Sequence, residues 1–252
     1  MDFGIAGKRA LVVGGSMGIG FAVCRALAAE GVNLVIFARN KERSQDAANR
    51  LKQTCLVDVD VVVGDSSVHD DVRQLRQATE QLGGVDILIL NVTRPPSPMR
   101  DFLAENEPQR WEDGYRTQLH GGILVLQEIT PQIVKKGWGR IVGITSASVK
   151  HPMPRHAIST IYRAGLAAAL KHLANEIARS GVTVNVVAPA SIRSDSFADV
   201  HDLEERIKRV PLGRLGTVDE FAGAVVFFAS QQAGFITGQN LQVDGGMTSA
   251  LL

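Results

Sequence analysis

The stretch VGGSMGIG, residues 13–20, decides the fold because its glycines lie between an apolar run and a helical pattern. Gly14, Gly18 and Gly20 follow the β-branched segment KRALVVG (8–14) directly. Glycines at a strand-to-helix turn let the backbone approach a pyrophosphate closely, and the exposed N–H groups of the helix then meet the anion. The stretch therefore predicts a dinucleotide-binding turn, with a structural tight turn as the alternative.

Apolar runs alternate with helical patterns along the rest of the chain. Most of these runs are nearly continuous, which is typical of parallel strands covered by helices on both faces. No linker, low-complexity tract or internal repeat interrupts the alternation. The pattern predicts one α/β domain over residues 1–252, a doubly wound Rossmann fold with a seven-stranded parallel sheet and helices on both faces. The predicted strands are 8–14, 32–38, 57–63, 85–90, 139–145, 182–188 and 239–244.

Two segments depart from this rhythm. Residues 91–108 are rich in proline and follow the fourth strand, and residues 189–216 follow the sixth. Both leave the carboxyl ends of strands, where ligands bind in such sheets, so they are predicted to be substrate-side loops. The second is either a lid over the substrate or an ordinary loop with a short charged helix.

Bulk properties exclude several classes of function. The formal net charge of +1 gives no overall field for nucleic acid or an anionic membrane. No apolar run reaches the roughly 18–20 residues of a membrane span, and the N-terminus shows no export signal. Two isolated cysteines, Cys24 and Cys55, indicate reduced, structural thiols, so we expect a cytoplasmic protein. We expect no metal site, because these histidines show no ligand arrangement: His120, His151, His172 and His201.

The end of the second predicted strand bears on cofactor choice. It reads FARNKER (37–43), with Arg39 where enzymes that use NAD usually have an acidic residue. An arginine suits a 2′-phosphate, so NADP(H) is favoured over NAD(H). The alternative is a solvated Arg39, with Asn40 capping the next helix.

Together the motifs resemble the short-chain dehydrogenase/reductase family, over residues 5 to 247, and within it the 3-oxoacyl-carrier-protein reductases. The resemblance implies an oxidoreductase that interconverts a small ketone and a secondary alcohol. It also implies a homodimer or homotetramer, or a hetero-oligomer with a homologous subunit. Besides the glycine pattern, the segments that carry it are GDSSVHDDV (64–72), GVDILILNVT (84–93), GWGRIVGITSAS (137–148), GVTVNVVAPASIRS (181–194) and residues 211–246.

The resemblance also implies the residues that bind the nucleotide. Asp65 would contact the adenine with Ser66 beside it, and Arg163 would hold the ribose. The remaining implied contacts are Gly14, Ser16, Gly18, Ile19, Gly20, Arg39, Asn91, Pro189, Ile192 and Ser194.

The family's catalytic residues are asparagine, serine, tyrosine and lysine, and three of these four types are changed here. Ser146 matches the serine, with Thr145 and Ser148 as neighbouring alternatives. The tyrosine and lysine positions hold Ser159 and Arg163, so the motif reads Ser-x-x-x-Arg. The asparagine position corresponds to Gln118.

These changes put proton transfer in question, because an unactivated serine hydroxyl titrates far above the ordinary tyrosine pKa of about 10. We expect Tyr162 to be the substitute proton donor, if its ring points back along the helix; packing on the helix face is the alternative. His156, one turn before Ser159, is a second candidate, with a helix-start histidine as its alternative. Arg163 cannot deprotonate, but it can hydrogen-bond a ribose.

Two classes of function remain open. The first is an active oxidoreductase with altered catalytic residues. The second is a catalytically impaired subunit that binds nucleotide or pairs with an active homologue. A Ser-x-x-x-Arg pair also resembles halohydrin dehalogenases, but the glycine loop, residues 14–20, argues against that specialisation.

Overall fold

A computed structural model describes residues 2–194 and 203–251, and within them the chain forms seven parallel strands in one sheet. These are β1 (Arg9–Val13), β2 (Asn33–Ala38), β3 (Val59–Val63), β4 (Ile87–Asn91), β5 (Gly139–Ile144), β6 (Val182–Pro189) and β9 (Asn240–Val243). Their order is β3-β2-β1-β4-β5-β6-β9, so the predicted seven-stranded sheet is confirmed. A separate parallel pair, β7 (Ile192–Arg193) and β8 (Gly216–Thr217), was not predicted.

Helices cover both faces of the sheet. They are α1 (Gly18–Ala29), α2 (Lys41–Thr54), α3 (His69–Gln81), α4 (Pro108–Gly114), α5 (Gly121–Lys135), α6 (Ala157–Ile177), α7 (Leu203–Lys208) and α8 (Val218–Ala229). A π-helical segment, Tyr115–His120, joins α4 to α5, and short 3-10 turns occupy Phe102–Ala104, Ala147–Val149 and Ala178–Ser180. Buried side chains of α1, α2 and α8 pack on one face and those of α3, α5 and α6 on the other, which confirms the doubly wound fold.

Strand order brings the ends of β1 and β4 together. Strand β1 pairs with β2 on one side and with β4 on the other, and Val13 lies beside both Phe37 and Leu90. The order of strands reverses at this point, which is where ligands bind in sheets of this kind. The loops after β1 and β4 therefore border the same space.

A buried ion pair fixes the predicted substrate-side loop 91–108. Arg110, in α4, donates from Nε to Glu105 Oε2 over 2.7 Å and from Nη2 to Glu105 Oε1 over 2.9 Å. It also donates to the carbonyl oxygen of Pro98 over 2.6 Å. The side chain of Glu105 is 2% exposed, so the pair is shielded from water. Part of the other predicted loop, residues 195–202, lies outside the described residues.

We expect Glu105→Gln to destabilise the fold by about 2 kcal/mol at pH 7, since it removes a hydrogen-bonded charge pair. The Arg110 hydrogen bonds hold the pKa of Glu105 below its ordinary 4.5. The pair therefore stabilises the fold above pH 4.5, and this contribution is lost as the pH falls through the lower pKa of the folded state. Urea unfolding at pH 7 and at a series of pH values below 4.5 measures both effects.

The matched control is Glu107→Gln in the same loop. Glu107 pairs with Arg100 over 2.6 Å, but its side chain is 57% exposed, so the expected loss is below about 1 kcal/mol. Equal losses in the two variants at pH 7, or a Glu105→Gln loss that does not decrease as the pH is lowered below 4.5, would contradict the role given to the buried pair.

No helix within residues 2–194 and 203–251 has both the length and the apolarity needed to cross a membrane. The two cysteines form no disulfide, and burial raises the pKa of the Cys24 thiol.

Candidate active site

The turn between β1 and α1 requires glycine. Gly14 and Gly18 have positive φ angles of 70° and 54°, a conformation that other residues rarely adopt. A Cβ atom on Gly20 would collide with the carbonyl oxygen of Gly14. Asn91, at the end of β4, donates from Nδ2 to that same carbonyl over 3.5 Å and so supports the turn. The turn leaves its backbone open to a ligand such as a pyrophosphate.

A cleft of about 480 Å³, called here the glycine cleft, runs from this turn across the carboxyl ends of β1 to β4. Its size and its glycine-lined floor fit a dinucleotide. Two of the predicted nucleotide residues do not line this cleft. Gly20 packs against the Gly14 carbonyl inside the turn, and Ile192 lines the neighbouring cleft. The structure brings the other predicted nucleotide residues together along this cleft: Gly14, Ser16, Gly18, Ile19, Arg39, Asp65, Ser66, Asn91, Arg163, Pro189 and Ser194.

Basic side chains lie at one end of the glycine cleft. Arg39 is exposed, and its Nη1 lies 3.8 Å from Asp65 Oδ2. Arg43, which the sequence analysis missed, lines the cleft beside it. Asn40 caps α2 by accepting from the Arg43 backbone N–H over 2.8 Å, as the alternative reading of this segment predicted. Both guanidinium groups are therefore placed to meet an anionic group.

A second cleft of about 370 Å³, called here the serine cleft, adjoins the first. Ser146, His156 and Ser159 line it, and the loop 91–108 closes one side through Pro95, Ser97, Pro98 and Met99. The two clefts share Ile19, Arg94, Arg163, Pro189 and Ser194. Ligands bound in the two clefts would therefore meet near these residues.

Ser146 is held by its neighbour Ser148. It accepts from the Ser148 backbone N–H over 3.2 Å and from the Ser148 hydroxyl over 2.9 Å. Because Ser148 supplies the proton in this pair, the proton of the Ser146 hydroxyl stays available to a ligand.

Arg163 is buried and holds several elements together. It donates from Nε to Gln118 Oε1 over 3.1 Å, from Nη1 to the Thr145 carbonyl, and from Nη2 to the Thr93 carbonyl over 3.3 Å. Burial, and then the charge of Arg94, lower the pKa of Arg163 to about 10. The guanidinium is therefore still charged at neutral pH.

Gln118 lies in the π-helical segment and is fully buried. Its Oε1 accepts from Arg163, whereas its Nε2 has no hydrogen-bond partner among the residues that the structure describes. Buried polar atoms without a partner are uncommon, and they often mark a position that meets water or a ligand.

The structure does not bring Tyr162 to either cleft. Its ring packs edge-on against Trp111 and Tyr115, with centroids 6.1 Å apart in both pairs. Burial, and then Tyr115, raise the pKa of Tyr162, which is the opposite of the shift expected for an activated acid–base group. The ring thus has the packing role that was the alternative to proton transfer.

His156 lies at the start of α6 and lines the serine cleft with Ser159. Its Nδ1 lies 2.7 Å from the Pro154 carbonyl oxygen, which can only accept. Nδ1 therefore carries a proton, and Nε2 is the unprotonated nitrogen of the neutral ring. Burial, and then the charges of Arg206, Arg155 and Arg163, lower the pKa of His156 below 6.5, while the Pro154 contact opposes them.

Known proteins match over nearly the whole chain. A family model described as Enoyl-(Acyl carrier protein) reductase matches residues 13–248. The 3-oxoacyl-[acyl-carrier-protein] reductase FabG of Staphylococcus epidermidis is 32% identical over 250 residues, covering 95% of this chain and 98% of that protein. The chain belongs to the short-chain dehydrogenase/reductase family. It is thus one of the family's NAD(P)-dependent oxidoreductases, of the type similar to FabG.

Solved structures of other short-chain dehydrogenase/reductases superpose closely on the chain. L-sorbose reductase from Gluconobacter frateurii, complexed with NADPH and L-sorbose, has a TM-score of 0.93 at 27% identity and covers 100% of both chains. A gluconate 5-dehydrogenase from Burkholderia cenocepacia, in complex with NADP and tartrate, has a TM-score of 0.89 at 33% identity and covers 99% of this chain and 98% of its own.

Proposed function

We propose that this short-chain dehydrogenase/reductase is an NADP(H)-linked enzyme that interconverts a small ketone and a secondary alcohol. The observation that supports this most is the meeting of the two clefts at Arg163, beside Ser146. A nicotinamide at that junction would lie against a carbonyl group in the serine cleft. When bound, the nicotinamide supplies hydride to the carbonyl carbon or accepts it in the reverse direction.

The preference for NADP(H) rests on charge. Arg39 and Arg43 line the end of the glycine cleft, β2 contains no acidic side chain, and Glu42 on α2 is not among the residues that line the cleft. Guanidinium groups form strong charge-assisted hydrogen bonds with phosphates. The L-sorbose reductase and gluconate 5-dehydrogenase structures hold NADPH and NADP, which agrees with this choice. Binding of NAD(H) remains the secondary option.

Residues that line the serine cleft account for the remaining steps, which are binding of the carbonyl oxygen and transfer of a proton to it. The Ser146 hydroxyl donates a hydrogen bond to the carbonyl oxygen and stabilises the negative charge that develops there. The N–H groups of Arg163 that its three bonds leave unused are available to the nicotinamide ribose. The oxygen then needs one proton, so that hydride and proton together convert the ketone to the alcohol.

His156 is the group we propose for that proton, in place of the changed tyrosine. It lines the serine cleft, and the Pro154 carbonyl orients its ring so that Nε2 is the exchanging nitrogen. Imidazole titrates near neutrality, which neither Ser159 nor Arg163 does. Protonated His156 gives its proton to the carbonyl oxygen, and neutral His156 takes the proton of the alcohol in the reverse direction.

We expect Arg39→Gln to raise the Kd for NADPH about tenfold, ~1.4 kcal/mol, and to leave the Kd for NADH unchanged. The physical reason is the loss of a charged donor to the 2′-phosphate, which NADH lacks. Fluorescence titration of both cofactors measures it. Arg73→Gln, the same change on exposed α3, is the control; equal losses for the two cofactors would reject the 2′-phosphate contact.

A panel of small ketones and secondary alcohols, assayed with NADPH and NADP+, tests the activity itself. Turnover of any member supports the enzyme. If there is none, and the Ser159→Tyr and Arg163→Lys double variant gains turnover, the chain is instead the catalytically impaired subunit. We also infer from the family an oligomer of identical or homologous subunits, which sedimentation velocity of the purified chain identifies.

A further inference from the structure

Ser159, at the start of α6, has a hydroxyl group that no other residue uses. The residue is only 4% exposed, and it lines the serine cleft. Within residues 2–194 and 203–251 its Oγ forms no hydrogen bond, and the oxygen is open to the cleft rather than sealed within the protein. The large majority of buried hydroxyl groups have a partner, so this one indicates a position that meets water or a ligand.

The position of Ser159 along α6 places it beside the reacting part of the substrate. Ser159 follows His156 by three residues and precedes Arg163 by four, so the three lie along one face of the helix, and all of them line the serine cleft. Side chains one turn apart on a helix lie about 5–6 Å from each other. Ser159 is therefore flanked by the proposed proton donor and by the guanidinium at the junction with the glycine cleft. A carbonyl group that receives its proton at one side and its hydride at the other lies against Ser159.

The small size of Ser159 leaves room for a substituent of the substrate. Serine stands at the position of the family's tyrosine and lacks the phenol ring. The space that such a ring would fill is part of a cleft of about 370 Å³ here. Because Ser146, beyond β5, receives the carbonyl oxygen, the hydroxyl of Ser159 is left for a group on a neighbouring carbon atom.

We propose that the substrate is a hydroxyketone, and that Ser159 binds a hydroxyl group on the carbon next to the carbonyl. This substrate class rests on the proposed ketone–alcohol activity. A serine hydroxyl both donates and accepts a hydrogen bond, and a substrate hydroxyl does the same in return. An apolar substituent would leave the Ser159 hydroxyl without a partner in a place shielded from water, which costs binding free energy. Hydride and proton convert the carbonyl to an alcohol and leave the neighbouring hydroxyl unchanged, so the product is a vicinal diol.

A matched pair of ketones tests the substrate class. 3-Hydroxy-2-butanone and 3-methyl-2-butanone have the same shape and differ only in a hydroxyl or a methyl group on the carbon next to the carbonyl. With NADPH, we expect kcat/KM for the hydroxyketone to exceed that for the ketone at least ~10-fold, because one hydrogen bond contributes about that factor. In Ser159→Ala the hydroxyketone should lose this advantage. Equal use of the two ketones by the wild type, or a preference that survives Ser159→Ala as the greater intrinsic reactivity of a hydroxyketone would, overturns the proposal.

Two further variants separate the hydroxyl from other effects of the substitution. Ser159→Thr keeps the hydroxyl and should keep the preference. Thr160→Val removes a hydroxyl from the next residue of α6, which lines neither cleft, and should leave the ratio of the two kcat/KM values unchanged. Because alanine is a better helix former than serine, Ser159→Ala should keep or raise the melting temperature. A preference that is lost in a variant of equal stability then reports the missing hydroxyl, whereas an equal loss in Thr160→Val overturns the role of Ser159.

The hydroxyl site and the ketone–alcohol activity fail in different ways. If 3-methyl-2-butanone is reduced as well as the hydroxyketone, the activity stands and the hydroxyl site is wrong. If neither ketone is reduced, saturation-transfer NMR with 2,3-butanediol and 3-methyl-2-butanol decides the site, in the chain with NADP+ or, where NADP+ does not bind, in the chain alone. Stronger saturation of the diol that is lost in Ser159→Ala supports the site without the activity. Equal saturation of the two alcohols, or none, overturns it.

Discussion

His156→Gln should lower kcat about 10²- to 10⁴-fold in both directions, because positioned acid–base groups contribute that range. In the wild type, reduction requires protonated His156, so its rate should fall as the pH rises through the pKa. Oxidation requires neutral His156 and should show the opposite trend. The burial and neighbouring arginines that lower this pKa place both changes below pH 6.5. Rates from pH 5 to 9 measure them, and the glutamine variant should lose both pH-dependent changes.

His172→Gln provides the matched control, since His172 is exposed on α6 and should leave the rates unchanged. Tyr162→Phe separates the two candidates for proton transfer. It preserves the ring that packs between Trp111 and Tyr115, so full activity is expected. A large loss in Tyr162→Phe together with normal rates in His156→Gln would reverse the assignment.

Gly20→Ala should weaken NADPH binding about 100-fold, ~2.7 kcal/mol, or more. The added Cβ would collide with the carbonyl oxygen of Gly14, which is backbone and cannot rotate away as a side chain would. The turn must then move, and Asn91, which supports the same carbonyl, must move with it. Fluorescence titration with NADPH gives the affinity, and thermal unfolding gives the accompanying loss of stability.

Gly223→Ala is the control for the same change within a helix. Gly223 lies in α8 and has open space at the Cβ position, so alanine should stabilise the chain by about 0.5–1 kcal/mol through its helix propensity. Its NADPH affinity should not change. A Gly20→Ala variant with wild-type affinity for NADPH would show that the turn can move to accept the added Cβ without weakening cofactor binding, and would contradict this prediction.

The sheet and the glycine turn could be predicted because local sequence encodes them. Continuous apolar runs specify buried parallel strands, and glycine is required where φ is positive or backbones touch. The predicted bounds of the elements were less accurate. Strand β3 begins at Val59 rather than at residue 57, because contacts with neighbouring elements decide where a strand starts to pair. The short pair β7 and β8 has too few residues to show any periodicity.

The nucleotide residues of several elements could be predicted through the family resemblance, and all but two of them line the glycine cleft, whereas the serine cleft could be predicted only in part. Ser159 and Arg163 lie four apart on α6 and both reach the serine cleft. Tyr162 lies next to them in sequence but on the face with Ile158, against Gly114, and no pattern shows which face meets an aromatic cluster. Arg94, Arg155 and Arg206 also line the serine cleft, and they come from three segments that are distant in sequence. No local pattern predicts that these segments meet.

The hydrogen bonds of Arg163 have a consequence for how ligands bind. By holding the carbonyls of Thr93 and Thr145, one guanidinium ties together the chain beyond β4, the chain beyond β5 and helix α6. Folding already orders this junction. Because little of the chain there has to be ordered when a ligand binds, little binding free energy is lost to that ordering. A lysine, whose ammonium is a compact point charge on a flexible stem, would brace these segments less rigidly. The arginine makes the meeting point of the clefts a preformed surface rather than one shaped by its ligands.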